Sequence, residues 1–380
     1  MAEVNASAPA ARVNVLILSA GLGLGGAETV IRHLAQAIDP KRFNITIGCI
    51  KTLGLMGEKL KAEGVDIVTL ASPDKQVDYL TALALRKLIR ARGIQVVHSH
   101  TTDGLADAAL CKVMSPGLKV IHTFHFGNYP HTGSKRLLWM ERVFSRLTNK
   151  LVAVGEVQRS QIRKAFALRA SQIGMIWNGV QAASPATDPT FRARIGAGDR
   201  LIIGTVATLI EQKGLRDLIA VAARLRAHAD KVCFVVVGDG HLRGELERLR
   251  HEQGVDDMVV FAGWVPDAAS VALPAFDVFF QPSLWEAMSV AILEAMAAQK
   301  AIVATRVGEN PIILDDGIDG LLVESKDVAG MADVLGRLIA DPALRQRLGT
   351  AAAAKVARQF TVAQMARAYE ALYVTTLAGQ

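Results

Sequence analysis

The sequence is poor in the patterns that mark secreted and membrane-spanning proteins. Among its 380 residues are three cysteines, Cys49, Cys111 and Cys233, which lie far apart in apolar segments. Their odd number and wide spacing argue against a disulfide framework or a metal site, and predict buried free thiols in the cytoplasm. No apolar run reaches the roughly 20 residues of a membrane span. Residues 1–12 lack the apolar centre of a secretory signal, so we expect a short disordered tail there.

Charge is unevenly distributed along the chain. The net charge is +7, yet the first 180 residues carry 23 Lys and Arg against 12 Asp and Glu, whereas the remainder carries 20 against 24. A basic half beside a mildly acidic half indicates either an anionic partner, such as a membrane surface, or simply a solvated basic surface. The basic segments contain no recognisable nucleic-acid-reading motif, so nucleic acid is not expected as a partner.

Short apolar runs alternate with helix-like stretches along the whole chain. The strand candidates of the first half are residues 13–19, 45–50, 65–70, 94–99, 119–124, 150–154 and 173–177. Residues 181–200 interrupt this rhythm with small, Pro and Gly residues, as a linker would. The rhythm restarts with LIIGTVATL, KVCFVVVGDG, MVVFAGW, FDVFFQPS and AIVATRV. Nearly continuous apolar strands are buried on both faces, which predicts parallel sheets covered by helices.

Two doubly wound α/β domains facing each other across a cleft are therefore predicted. The first domain covers residues 1–180, the linker 181–200 and the second domain 201–360. The segment 361–380 contains an amphipathic helix, which we expect to pack back toward the first domain.

A glycine-rich turn follows the first strand candidate. Gly21, Gly23 and Gly26 spell G-x-G-x-x-G, the fingerprint of a dinucleotide site. Such a site also needs a carboxylate at the end of the second strand, whereas ITIGCIK ends at Lys51, so NAD or FAD binding is disfavoured. Gly25 and Gly26 open a helix, where bare backbone can approach a phosphate. An ordinary strand–helix turn would explain the same glycines.

Two glutamates in the second half straddle the start of a predicted helix. Glu286 and Glu294 are eight residues apart, about 12 Å along a helix. The amides of Met288, Ser289 and Val290 are expected in the unpaired first turn, where they would stabilise an anion. A molecule with hydroxyls at both ends and a diphosphate between them would fit this spacing. The alternative is that both glutamates are simply solvated.

The segment around these glutamates resembles the E-x7-E signature of retaining glycosyltransferase family 4. The blocks P-S-L-x-E, E-A-M-A, V-A-T-x-V-G, D-G-x-x-G-L-L-V and the N-terminal G-G-A-E match in order and spacing, as do IGTVATLIEQKGLRDLI, VVVGDG, VVFAGWVPD and WNGV. Together they cover nearly the whole chain. The resemblance implies the GT-B fold, a nucleotide-diphospho-sugar donor of UDP or GDP type bound to the second domain, and retention of configuration without a metal ion or other cofactor.

The resemblance also implies roles for individual residues. Glu286 would hold hydroxyls of the donor sugar and Glu294 the ribose, while Lys213 would contact the diphosphate. His125, which by itself is an ordinary polar strand end, would face the sugar. The catalytic residues would thus be His125, Lys213 and Glu286.

Further donor contacts come from backbone. The Gly25–Gly26 turn would close over the diphosphate from the opposite domain, and the backbone of Trp264 and Val265 would meet the base. His98 and His100 also end a strand on the cleft side, but neither receives a role. The full set of implied donor-binding residues is Gly25, Gly26, Lys213, Trp264, Val265, Glu286, Met288, Ser289, Val290 and Glu294.

Some positions depart from the family pattern. Thr208 stands where the family often has an arginine, so the second positive charge beside the diphosphate is missing. Ala287 and Ala291 replace a common glycine and a common proline, and Gly155 replaces a frequent serine. These departures keep weaker donor binding open, and with it a GT-B protein that binds a nucleotide-sugar or glycan without turning it over.

The acceptor is expected on the basic first domain, where residues 134–147 form a predicted amphipathic helix. Its apolar stripe, which we expect to face the core, is Leu137, Met140, Phe144 and Leu147. Its opposite face, which could meet anionic headgroups, carries Lys135, Trp139, Arg142 and Arg146. A lipid-linked or cell-surface glycan acceptor at the inner face of the membrane follows from that contact. A soluble small molecule or sugar phosphate is the alternative.

Overall fold

The structure is a computed structural model that describes residues 12–23, 25–70, 81–130, 134–182, 188 and 190–379. Within these residues the chain forms two parallel β-sheets, each from its own part of the sequence. The strand pairs of both sheets run parallel, and helices connect successive strands. The prediction of two doubly wound α/β domains is therefore confirmed.

The first sheet has seven strands in the described part of the chain, in the order β3-β2-β1-β4-β5-β6-β7. These strands are β1 (Val13–Gly21), β2 (Phe43–Thr52), β3 (Ile67–Thr69), β4 (Val96–Ser99), β5 (Lys119–Phe124), β6 (Lys150–Ala153) and β7 (Ile173–Met175). All seven fall on the predicted runs, because apolar side chains cover both faces of each central strand. Leu16 and Ile17 point to opposite faces of β1, and both are fully buried.

The second sheet has six strands within the described residues, in the order β10-β9-β8-β11-β12-β13. They are β8 (Leu201–Val206), β9 (Val232–Val237), β10 (Val259–Gly263), β11 (Val278–Gln281), β12 (Ala301–Thr305) and β13 (Leu321–Val323). The apolar runs predicted the first five. The predicted runs do not include β13.

Helices cover both sheets. In the first part of the chain they are α1 (Gly26–Ala37), α2 (Gly54–Ala62), α3 (Thr81–Ala91), α4 (Thr102–Val113), α5 (Lys135–Ser145), α6 (Glu156–Phe166) and α7 (Phe191–Arg194). In the second part they are α8 (Leu215–Arg224), α9 (Arg243–Glu252), α10 (Ala268–Val271), α11 (Val290–Ala297), α12 (Asn310–Ile313), α13 (Val328–Ala340), α14 (Pro342–Gln359) and α15 (Val362–Leu377). Single 3₁₀ turns lie at Ala170–Gln172, Glu211–Lys213, Arg226–His228 and Leu273–Ala275.

The segment between the sheets is more structured than a linker of small residues suggests. Residues 183–187 and 189 lie outside the described residues, but Phe191–Arg194 form one helical turn in which Phe191 is fully buried. Arg192 of this turn donates to the backbone of Gly198 and Arg200. The buried ring, together with hydrogen bonds that Arg192 donates to the Ala275 carbonyl and to Asp277, fixes the segment against the second domain.

Helix α15 returns from the second domain to the first. It packs against α1, and Glu370 accepts hydrogen bonds from Arg42 and from the Asp39 amide at the end of that helix. Tyr369 and Tyr373 are fully buried on the same side. The chain therefore crosses the gap between the domains twice. No helix among the described residues is both long and apolar enough to cross a membrane.

The three cysteines are buried free thiols, as predicted. Burial raises the pKa of Cys49 and of Cys111 to about 12. Both thiols are therefore held in the protonated, unreactive form at neutral pH.

Candidate active site

A cavity of about 580 Å³ lies between the two domains. In each sheet the strand order reverses between two neighbours, β1 and β4 in the first and β8 and β11 in the second. In open parallel sheets, ligands bind beyond the carboxyl ends of the strands at such a reversal. The two reversals face each other here, since the cavity walls include the segment that follows β1 in the first domain and the segments that follow β8 and β11 in the second.

Helix α11 begins later than the sequence predicts. Val290 is its first residue and Ser289 is the N-cap, because the Ser289 hydroxyl accepts from the amide of Ile292 at 3.3 Å. Met288 and Ser289 therefore precede the first turn, and placing their amides within it was wrong. The amides that open the helix belong to Val290 and Ala291. All four residues line the cavity, so the helix start does face the space between the domains.

Glu286 lies at the floor of the cavity and is almost fully buried. Its Oε1 accepts from Lys213 Nζ at 2.6 Å, from Ser283 Oγ at 2.7 Å and from Gln281 Nε2 at 2.8 Å. Gln212 donates to Oε2 at 3.3 Å. Four donors around one carboxylate fix its position and orientation. The structure thus brings Lys213 and Glu286 together in one partly buried ion pair.

Glu294 lies one turn beyond the start of α11, on the same wall. Burial raises its pKa to about 7, while the guanidinium of Arg32 opposes that rise and Asp267 adds to it. Arg32 belongs to α1 of the first domain and donates to Asp267 Oδ1 at 3.1 Å. Lys59 also pairs with Asp267 across the gap. These contacts between the domains surround the end of the cavity that holds Glu294.

Backbone of the first domain comes within van der Waals distance of the second. A Cβ placed on Gly26 would lie 3.6 Å from Cγ2 of Val290, and one on Gly127 would lie 2.5 Å from the Ala287 nitrogen. Any side chain at Gly127 would therefore push the domains apart. The Gly25–Gly26 turn stands opposite the start of α11.

The other predicted residues also border the cavity. His125 follows β5 on the first-domain side, and Trp264 and Val265 follow β10 on the other side. Trp264 keeps 42% of its surface exposed. Thr208 also lines the cavity. Although Thr208 supplies no charge, Arg32 adds a cation to the wall that the sequence did not suggest.

Some contacts of Glu286 were missed at the level of sequence. Gln281 is the last residue of β11, and Ser283 follows two residues later in FFQPS. A polar pair that closes an otherwise apolar strand is the signal that would have found them, since carboxyl ends of strands carry ligand contacts in this type of sheet. Arg32 has no comparable signal, because a single arginine on an amphipathic helix is usually solvated.

The Gly155 departure has a structural explanation. Gly155 is the N-cap of α6 and has no side chain to cap the helix. Instead, Glu309 of the second domain accepts from the amides of Val157 at 2.5 Å and Gln158 at 3.2 Å. A Cβ at Gly155 would lie 2.1 Å from Cδ of Glu309. The missing side chain thus leaves room for a cap that comes from the other domain.

The helix proposed for acceptor contact is rotated relative to the prediction. Leu137 and Leu147 are more than a third exposed, so the expected core-facing stripe was wrong. The buried side of α5 carries Glu141 and Ser145 instead, because Glu141 accepts a hydrogen bond from Thr102 at 2.5 Å. A buried polar contact decides the orientation here. Trp139 is 62% exposed, as predicted for the outer face.

Comparisons with known proteins agree with the fold and the cleft. A family model described as Glycosyl transferases group 1 matches residues 200–341, and one described as Glycosyltransferase Family 4 matches residues 24–184. The chain is similar to an alpha-D-kanosaminyltransferase of Streptomyces kanamyceticus, with 28% identity over 299 residues that cover 73% of this chain and 75% of that protein. It is also 24% identical over 343 residues to the UDP-Gal:alpha-D-GlcNAc-diphosphoundecaprenol alpha-1,3-galactosyltransferase of Escherichia coli, covering 84% and 86%.

A solved structure shows the same architecture. HepE of Anabaena, in complex with UDP and glucose, superposes with a TM-score of 0.85 at 20% identity, covering 96% of this chain and all of that one. Two parallel-sheet domains facing across a cleft are the GT-B fold, and the family models that match both parts of the chain make this protein a glycosyltransferase. More narrowly, the chain belongs to the family 4-like glycosyltransferases, whose two domain models match its two halves.

Proposed function

We propose that this protein moves a sugar from a nucleotide-diphospho-sugar to a lipid-linked or cell-surface glycan, with retention of anomeric configuration. The arrangement around α11 carries the proposal. Glu286 and Lys213 stand at one end of the helix start, Glu294 stands at the other, and the free amides of Val290 and Ala291 lie between them. Hydroxyl-accepting carboxylates on either side of an anion site match a donor with its sugar, diphosphate and ribose in that order.

The chemistry requires the bond between the sugar and the diphosphate to break. Negative charge then develops on the diphosphate, while the sugar acquires oxocarbenium character. Lys213 has three N–H donors, so it can keep Glu286 as a partner and still reach a phosphate oxygen. The helix-start amides would stabilise the same charge. We propose that this set acts without a metal ion, and that Glu286 holds sugar hydroxyls beside the reacting carbon.

Retention of configuration can be tested without knowing the acceptor. The protein would be incubated with α-linked UDP- and GDP-hexoses, and proton NMR would follow the sugar released to water before it mutarotates. We expect the α anomer first. Lys213→Gln should slow release about a hundredfold, because it removes one aimed donor from the diphosphate. Lys231→Gln, an exposed lysine of the same domain, is the matched control. Release of the β anomer first would rule out retention.

We further propose that the first domain contacts an anionic membrane at its cytoplasmic face. Helices α4 and α5 pack side by side. Val113 and Trp139 are 63% and 62% exposed on them, and Arg136 and Arg142 are exposed on α5. Aromatic and basic side chains together suit an interface with acidic headgroups. A protein held there would reach a lipid-linked acceptor.

Flotation with vesicles tests this contact. We expect the protein to float with phosphatidylglycerol vesicles and not with phosphatidylcholine vesicles, and binding should weaken in the charge-reversal variant Arg136→Glu/Arg142→Glu. Arg248→Glu, an exposed arginine of the second domain, should bind like the wild type. Binding that is equal for both lipids, or absent for both, would favour a soluble sugar-phosphate or small-molecule acceptor instead.

A further inference from the structure

A group of histidines lies behind the cavity, at the carboxyl ends of β4 and β5. His98 and His100 belong to the β4 side, while His122 and His125 belong to the β5 side. His98, His100 and His122 are at most 3% exposed. His125 reaches the cavity wall. Buried imidazoles need hydrogen-bond partners for their ring nitrogens. The hydrogen bonds of each ring therefore indicate which of its two nitrogens carries the proton.

His100 and His125 are directly bonded to each other. Nδ1 of His100 lies 2.8 Å from Nε2 of His125, and the two rings are stacked with centroids 5.0 Å apart. This bond occupies Nε2 of His125. The other nitrogen of that ring, Nδ1, is left to serve a ligand in the cavity. One of the two rings must donate the shared proton and the other must accept it.

Both rings are neutral at physiological pH. Burial lowers the pKa of His125 to about 4, and burial together with the neighbouring histidines lowers that of His100 well below its usual value. Each ring therefore carries one proton. Two arrangements remain, in which the shared proton sits either on His100 Nδ1 or on His125 Nε2.

The remaining nitrogen of His100 distinguishes the two arrangements. Nε2 of His100 is buried and has no hydrogen-bond partner among the described residues. If His125 donated the shared proton, His100 would carry its own proton on this isolated nitrogen. Among buried backbone groups, an N–H without a partner is rarer than an acceptor without one, and the same preference is taken for this buried ring nitrogen. The favoured arrangement therefore has His100 Nδ1–H donating to His125, which places the proton of His125 on Nδ1.

We infer that His100 is a positioning residue, which holds His125 in the Nδ1–H form so that it donates a hydrogen bond to a hydroxyl of the donor sugar. This inference deepens the proposed function and rests on it for the identity of the ligand. The fixed tautomer matters because a hydroxyl is recognised differently by a donor and by an acceptor nitrogen. A wrong tautomer would present a lone pair where the site needs an N–H.

His98 packs against the ring of His100 and restricts its movement. Its Nδ1 bonds the Tyr373 hydroxyl and its Nε2 bonds Thr123 Oγ1, each at 2.8 Å. Its ring lies 4.1 Å from that of His100. With both nitrogens engaged, His98 cannot turn to partner His100 Nε2. Because Tyr373 belongs to α15, this chain of side chains runs from the cavity to the helix that returns from the second domain.

Nitrogen NMR of ¹⁵N-histidine-labelled protein tests the tautomer directly, without any ligand. We expect the Nδ1–H form at His125 in the wild type. His100→Phe should shift His125 toward a mixture of tautomers, because the ring loses its hydrogen-bond donor. His100→Asn should restore the wild-type signature, since an amide N–H can replace Nδ1–H. An Nε2–H form of His125 in the wild type would overturn the inference, as would an unchanged His125 signature in His100→Phe.

A matched variant separates positioning from general damage to the fold. His122 is equally buried and bonds Ser99 Oγ at 2.8 Å, whereas the hydrogen bond to His125 comes from His100. His122→Phe should therefore leave the tautomer of His125 unchanged. A change of the His125 signature as large as that in His100→Phe would mean that any lost imidazole perturbs the site, and would overturn the specific role of His100.

Ligand binding then separates this inference from the proposed function. His100→Phe should weaken UDP-glucose binding about tenfold, the size of one lost hydrogen bond, while UDP binding stays as in the wild type because UDP has no sugar. Equal losses for both ligands would overturn a role at the sugar. Wild-type protein that binds neither ligand, yet shows the Nδ1–H form, would count against a UDP donor and leave the positioning role supported.

Discussion

Glu294 illustrates how one residue can act against stability in order to serve binding. Its side chain is half-buried on the cavity wall, and the loss of surrounding water raises its pKa to about 7. The native protein therefore binds a proton there more tightly than the unfolded chain does. Between about pH 4.5 and 7, stability falls as the pH rises, and above that window the full penalty is present. A ribose that offers two hydroxyls to this carboxylate would relieve that penalty.

Replacing Glu294 by glutamine removes the buried charge and keeps the size of the side chain. We expect the thermal midpoint of Glu294→Gln to exceed that of the wild type by a few degrees at pH 8, and the two to agree at pH 4.5. Scanning calorimetry across this pH range checks the prediction. Asp333→Asn, at an acidic group outside the cavity, provides a control. A wild type more stable than Glu294→Gln at pH 8 would contradict the account.

Sequence motifs identified some of the residues that line the cavity and missed others. Glu286, Glu294, Lys213 and His125 were found by motif, and the structure brings all four to one cavity. Arg32 was missed because its contact with Asp267 spans 235 positions of sequence. A local sequence pattern cannot predict a contact with a residue of the other domain.

Secondary structure elements explain how the two domains meet. Helix α6 of the first domain lacks its own cap at Gly155, and Glu309 next to α12 supplies one. The carboxylate lies at the positive end of the helix, where a negative charge is favoured. This contact between the domains pairs the free amides at the start of α6 with the buried carboxylate of Glu309. We call this interdomain cap, in which Glu309 bonds the start of α6, the latch. It can form only because Gly155 has no side chain.

Adding a methyl group at Gly155 should open that latch. In Gly155→Ala the new Cβ would overlap Glu309, so the carboxylate must leave the helix end. We expect a thermal midpoint lower by a few degrees and a larger radius of gyration by X-ray scattering, because two charge-assisted hydrogen bonds are lost. Gly155→Ser should lose less, since a serine can cap the helix itself.

Two further variants decide whether the latch is responsible. Gly117 has open space around it, so Gly117→Ala should change neither measurement. The double variant Gly155→Ala/Glu309→Ala should be little worse than Glu309→Ala alone, because the clash is gone. Fully additive losses in this cycle would show that the two residues act independently.

The sequence predicted most strands but not the exact start of α11 or the orientation of α5. The strands of both sheets except β13 followed from apolar runs, because strands buried on two faces need apolar residues at every position. The start of α11 was placed two residues early, since nothing in AMSVAILE distinguishes a capping serine from a helical one. The orientation of α5 was wrong for a different reason: a buried bond between Thr102 and Glu141 outweighs its apolar stripe.

At the scale of the whole molecule, the ligand site is built where two strand-order reversals oppose each other. The α/β rhythm predicted both domains, and the general behaviour of open sheets places ligands at such reversals. How closely the domains approach could not be predicted, because it depends on contacts such as Gly127 against the backbone of Ala287. Those contacts, together with α15, set how far apart the two walls of the cavity lie.

The central claim is that this cavity binds a nucleoside diphosphate with Glu294 on its ribose. The most direct measurement is the thermal midpoint of the wild type and of Glu294→Gln at pH 8, each with saturating UDP, GDP, ADP or NAD. A ligand at about 100 times its dissociation constant adds roughly 2.7 kcal/mol to stability. We predict a rise of several degrees with one nucleoside diphosphate in the wild type, and loss of that rise in Glu294→Gln. A rise with NAD alone, or one that survives in Glu294→Gln, would contradict the account.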